Sequence, residues 1–99
     1  MLGSNVKRAK PVTPEKIFGQ VLQAIRHERG LSQEQLGFES GYHRTYISLL
    51  ERGRKSPSLN TIFQLALALK VTSSEILRRV ESRVSKASKR DPKERAKNR

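Results

Sequence analysis

The fold turns on residues 31–59, LSQEQLGFESGYHRTYISLLERGRKSPSL. Ser32 can cap a helix, and Gln35 stands three residues on, where a reciprocal capping bond closes. Leu36 is the main apolar anchor of this short helix. Ser40-Gly41 ends it, with Gly41 placed to take the positive φ of a tight turn. A second short helix runs from about His43 to Glu51, anchored by Ile47 and Leu50 and ended by Gly53. Gly37 is small where this second helix must approach the first. Each of these residues is a weak signal alone. In this order and spacing they specify two short helices joined by a glycine turn and locked onto a shared core.

The reading extends outward on both sides. Thr13 can cap a helix, Pro14 suits the first helical position, and Glu15 favours the positive end of the helix dipole. Ile17, Phe18, Val21, Leu22 and Ile25 then fall on one helical face, and Gly30 ends the helix. Residues 53–58 form a polar loop containing Pro57. Ser58 caps a fourth helix whose apolar positions are Leu59, Ile62, Phe63, Leu65, Ala66 and Leu69. Thr72-Ser73-Ser74-Glu75 has the capping-box pattern for a fifth, whose stripe is Ile76, Leu77, Val80 and Val84. No strand pattern and no repeat occurs. The predicted fold class is all-α: a compact five-helix domain over 14–85 with flexible basic tails. The tails are a basic arm over 1–13, with a linker-like Gly3-Ser4, and a disordered basic segment over 86–99.

Composition bounds the function. The 99 residues suffice for one domain with one core. No apolar run reaches the roughly 18 residues of a membrane span, and no secretory signal follows the basic N-terminus. The absence of cysteine excludes disulfides and thiolate zinc, and fits a reducing cytoplasm. Twenty-one basic residues against 9 acidic give a net charge of +12, which favours a polyanionic partner, nucleic acid before an acidic membrane surface. From Pro14 to Leu77 there are 8 basic and 6 acidic residues; after Leu77 there are 10 and 3. The excess therefore sits at the ends, where charge runs are often merely solvated. His27 and His43 lie 16 residues apart with no acidic companions, so no metal is expected. With no nucleophile elbow, P-loop or paired carboxylates, neither an enzyme nor a cofactor is expected.

Two helices joined by such a turn are a helix-turn-helix. The whole stretch quoted above resembles the Cro/repressor-type helix-turn-helix family, also called the XRE family. Within it, HRTYIS followed by LERG is similar to the controller proteins of restriction–modification systems. The resemblance spans residues 14–80. It implies sequence-specific DNA binding as a twofold dimer, with the third helix in the major groove of a palindromic operator. By motif position the expected base contacts are Arg44, Thr45, Ser48 and Leu49. Arg44 leads, because its planar fork matches the O6 and N7 of guanine. Leu49 stands where relatives carry a polar reader, and touches either a thymine methyl or nothing. The expected phosphate contacts are Gln33, at a helix N-terminus, with Tyr46, Arg54 and Lys55; Lys55 is also a secondary base reader. The resemblance assigns Arg26 and Glu51 to an internal ion pair between the first helix and the end of the third.

The dimer interface implied is Leu77, Val80 and Val84 of the fifth helix, the alternative being that these residues pack back on the first. Tyr42 belongs with the core, and Phe38 either packs or is exposed. Lys70 stands where many relatives have glycine, and either strains the turn or complements the dipole. The partners expected are double-stranded DNA, a second copy, and RNA polymerase or a toxin protein, in a bacterial or phage-derived cytoplasmic setting on the nucleoid. Three rivals to a transcriptional regulator are an antitoxin bound to its toxin, a non-specific nucleic-acid binder driven by the tails, and a protein adaptor.

Overall fold

The computed structural model describes residues 12–88. Five helices follow in order: α1 (Pro14–Glu28), α2 (Gln33–Ser40), α3 (Arg44–Glu51), α4 (Leu59–Leu69) and α5 (Ser73–Ser88). Among the described residues there is no strand, and no helix is long and apolar enough to cross a membrane. The basic arm expected over 1–13 and the tail expected over 86–99 fall outside the described residues except for residues 12–13 and 86–88.

Side chains start the helices by supplying acceptors that the first turn lacks. Thr13 Oγ1 accepts the Lys16 N–H at 3.1 Å, and Pro14 follows where its missing N–H is no loss. Ser32 and Gln35 close a full capping box, with bonds of 3.0 and 2.8 Å. Ser58 Oγ accepts from Thr61 N–H at 3.0 Å. At α5 only half of the expected box forms. Thr72 Oγ1 accepts the Glu75 N–H at 3.0 Å, but the Glu75 carboxylate goes to Arg78 and Arg79, whose charged donors outcompete a backbone amide. The same helix runs three residues past the expected boundary at 85. Lys86 and Ala87 are exposed and are good helix formers, so they extend the helix without any apolar period.

Four helix ends share one closure. The N–H groups of Leu31, Tyr42, Arg54 and Val71 bond back to the carbonyls of Arg26, Gly37, Leu49 and Ala66, at 2.8–3.1 Å. In each the residue before the donor is left-handed. At Gly41 φ is 85°, which costs a glycine nothing; at Lys70 the same role is filled at φ 60° by a residue with a Cβ. Of the two readings of Lys70, the backbone therefore shows the strained one, at about 1–2 kcal/mol.

α1 packs against α3 and α5, α2 against α3 and α4, and α4 against α5. All five helices feed one core, in which Val21, Leu22, Ile25, Leu36, Ile47, Leu50, Leu65, Leu69 and Ile76 are fully buried. Each such side chain contributes about 1.5–3 kcal/mol relative to exposure. Gly19 sets how closely α1 meets α3: a Cβ there would lie 2.3 Å from the Leu50 carbonyl oxygen. α4 is mostly apolar and buries Leu65, Ala66, Ala68 and Leu69 with Thr61, leaving Leu59, Phe63 and Leu67 exposed.

Arg79 ties α5 to α1. Its guanidinium bonds Glu75 on its own helix and Glu28 at the end of α1, both at 3.0 Å. Hydrogen bonds from Arg79 hold both carboxyls below the ordinary glutamate value of 4.5, with Arg78 adding to the effect at Glu75, and Glu28 first and then Glu75 raise the guanidinium in return. A carboxylate whose folded pKa is depressed binds fewer protons folded than unfolded. Its contribution is therefore present above about 4.5 and lost as pH falls through the depressed value. Thermal unfolding across pH 7 to 3 should show a shallower acid-side fall in Arg79→Met than in the parent; equal slopes would mean that the two carboxylates titrate alike folded and unfolded. Lys70→Gly should raise Tm by several degrees, since about 1 kcal/mol corresponds to ~4–8 °C in a domain of this size. A lowered Tm would show that the left-handed lysine carries no strain.

Candidate nucleic-acid interface

α3 is oriented by its two ends. At its start His43 Nδ1 accepts the Thr45 N–H at 3.0 Å. Here α2 and α3 nearly touch: a Cβ on Gly37 would lie 2.5 Å from the Tyr42 carbonyl oxygen and 3.2 Å from the Arg44 nitrogen. Along the helix, Ile47 and Leu50 turn inward with Glu51, whose side chain is buried.

Glu51 enters the protein only because it is paired. Arg26 Nε lies 2.6 Å from Oε2, and Arg26 Nη2 lies 3.0 Å from Oε1. Arg26 Nη1 donates to the Leu31 carbonyl at 2.8 Å, so the guanidinium also fixes the loop between α1 and α2. Gln33 Nε2 adds a third donor to the carboxylate, at 2.9 Å. No buried side-chain polar atom among the described residues is left without a partner.

The outer side of α3 is different. Gln33, Arg44, Thr45 and Ser48 line one open concavity. Arg44 and Thr45 are exposed, and neither side chain has a partner among the described residues. Ser48 Oγ accepts from Arg52 Nε at 3.3 Å. Arg52 was not among the residues selected from the sequence, although it lies four residues after Ser48, the spacing at which helical side chains meet. Arg54 and Lys55 are exposed in the loop that follows. Between residues 40 and 74 Glu51 is the single acidic residue, and Arg26 neutralises it internally. Arg44, Arg52, Arg54 and Lys55 are thus exposed cations with no free carboxylate on α3 or its loop, while Glu15 of α1 reaches the loop at Ser56 Oγ, 3.5 Å away.

Other residues stand elsewhere. Leu49 is half-buried and does not line the concavity. Tyr46, expected as a phosphate contact, is half-buried. Its hydroxyl lies 3.4 Å from Thr61 Oγ1, and its ring packs 5.1 Å from that of Tyr42, which donates to the same threonine at 3.2 Å. Residue 46 precedes the buried Ile47 on the helix and so borders α4, where an apolar ring is partly shielded. Val80 and Val84 are half-buried against the core, while Leu77 is 42% exposed. Phe38 is exposed on α2.

A helix-turn-helix family model matches residues 22–76. The chain belongs to the Cro/repressor-type helix-turn-helix family of transcription regulators. This regulator is similar to the control protein C.BamHI of Bacillus amyloliquefaciens, at 44% identity over 62 residues, covering 62% of this chain and 76% of the relative. It is similar in structure to the restriction–modification controller protein C.AhdI of Aeromonas hydrophila, with a TM-score of 0.61 at 44% identity, covering 62% of this chain and 92% of the other. It also resembles the controller protein C.Esp1396I, solved as a tetramer in complex with its natural 35 base-pair operator, with a TM-score of 0.67 at 25% identity over 72% of this chain and 93% of that one.

Glu51→Ala would strand the Arg26 guanidinium in the interior of the regulator. The expected loss of stability is about 3–5 kcal/mol, read from urea unfolding by circular dichroism. A loss below about 0.5 kcal/mol, typical of an exposed site, would show that the pair is solvated in solution.

Proposed function

We propose that the regulator binds a palindromic DNA operator as a dimer, each protomer placing α3 in the major groove of one half-site. The observation that carries this reading is the outer side of α3. Arg44 and Thr45 open the helix there with uncommitted donors, on a cationic face that shares a concavity with the start of α2. A guanidinium without an internal partner retains its planar fork for a guanine edge, and the Thr45 hydroxyl and methyl suit a phosphate, a base edge or a thymine methyl. Ser48 follows one turn on, with Arg52 beside it, and Leu49 stands at the margin for a thymine methyl.

Gln33, Arg54 and Lys55 take the phosphates on either side and set the register. Tyr46 joins them with its hydroxyl proton, its oxygen accepting from Thr61. A dimer would use Leu77 with the open edges of Val80 and Val84, and would hold half-site centres about 34 Å apart. The relatives that are named as control proteins or restriction–modification controllers support a regulatory role here.

Selection of bound fragments from a random duplex library at about 150–200 mM salt tests this, because purely electrostatic binding is weak there. The full chain should recover a palindrome, and Arg44→Ala should blur one symmetric pair of positions. Recovery of no motif by either protein would refute specific readout.

A further inference from the structure

Gln33 is the first residue of α2 and Glu51 the last of α3, so the two ends of the helix-turn-helix meet at one carboxylate. A carboxylate only accepts hydrogen bonds. The Gln33 amide can therefore face Glu51 only through its nitrogen; turned over, it would set oxygen against oxygen. Glu51 is itself buried and held. Arg26 holds both of its oxygens, and Arg26 is in turn held by the Leu31 carbonyl. The second N–H of Gln33 and its carbonyl oxygen have no partner among the described residues, on a side chain that lines the concavity with Arg44, Thr45 and Ser48. A free glutamine loses rotamer freedom when a ligand fixes it. Here that freedom has been surrendered on folding.

We infer that Arg26 and Glu51 are positioning residues for DNA binding: the buried pair orients the Gln33 amide so that its remaining N–H is presented to a backbone phosphate beside the recognition helix. This inference rests on the DNA-reading function proposed above. It gives the pair a role beyond stability, which a stability measurement alone would not reveal.

The test uses Arg26→Met/Glu51→Leu, since an apolar pair of similar volume commonly replaces a buried ion pair without loss of fold. The probe is the best duplex recovered by the full chain in the selection, at about 150 mM salt. The double variant should unfold at no lower a temperature than the parent, yet bind roughly tenfold more weakly, the loss of one charge-assisted hydrogen bond. Gln33→Ala should lose the same, and the triple variant no more. The recovered motif should not change, because phosphate contacts are sequence-blind.

Wild-type affinity in the double variant, or no loss in Gln33→Ala, overturns the inference. A second readout does not depend on the variants folding. In the ¹⁵N spectrum of the intact protein the two Gln33 side-chain amide protons should be widely separated and one slow to exchange; a freely rotating amide overturns it too. Arg44→Ala is the control. If it leaves both affinity and motif unchanged, the DNA-reading function itself has failed rather than the positioning role.

Discussion

Glu51 ends α3 with a charge inside the protein, and much of the domain is arranged around that fact. An unpaired carboxylate at this depth would be prohibitive. It is tolerated because α1 brings Arg26 to it and α2 brings Gln33. That requires α1 to lie almost against the end of α3, and Gly19 permits it: any side chain there would strike the Leu50 and Glu51 carbonyls. Close backbone contact and buried ion pair therefore occupy one corner and depend on each other. The contact sets where the end of α3 meets α1, and the pair offsets the cost of burying an acid there. From this corner the angle of α3 and the start of α2 follow together.

The same pair shapes the electrostatics. Over residues 14–88 basic residues outnumber acidic ones 12 to 7, and the two signs are unevenly placed. Glu51 is neutralised internally, and Glu28 and Glu75 are engaged by Arg79 on the α1–α5 side. Glu34 and Glu39 stand on the outside of α2. What remains along α3 and its loop is Arg44, Arg52, Arg54 and Lys55, with Glu15 of α1 meeting the loop at Ser56. The exposed cations of α3 and its loop thus owe their excess in part to the way the acids are spent. Phosphates would meet that face with little opposing charge.

Much of the fold was legible because its signals are local. Thr13, Ser32 and Ser58 satisfy amides three residues away, and Gly41 supplies a φ that other residues resist; neither depends on distant packing. The α1 stripe was readable because one face is apolar and the opposite one is not. α4 was harder to read. Its polar residues Asn60, Thr61 and Gln64 cover only one arc, so the pattern does not choose which of the many apolar residues are buried, and contact with α2 and α5 leaves Leu59, Phe63 and Leu67 outside. Gly19 gave no signal because it sits within a helix, where glycine reads only as a poor helix former. Arg52 was overlooked because its link to Ser48 matters only once the outer side of α3 is seen as a surface.

The candidate site divides in the same way. That a short helix starts near His43 and ends at Glu51 follows from the order of glycines and apolar anchors along the chain, and the resemblance to a family then marks its outward residues. Each acts within a few residues, so a linear reading finds it. Where those side chains end up follows from partners far away in the chain. Tyr46 turns to Thr61, 15 residues on, and Gln33 turns to Glu51, 18 residues on. Val80 and Val84 lean on a core built mostly from the other four helices. Hydrogen bonds and burial between distant segments are decided by which surfaces the packed helices bring together. No local pattern encodes that, so only the tertiary structure could settle it.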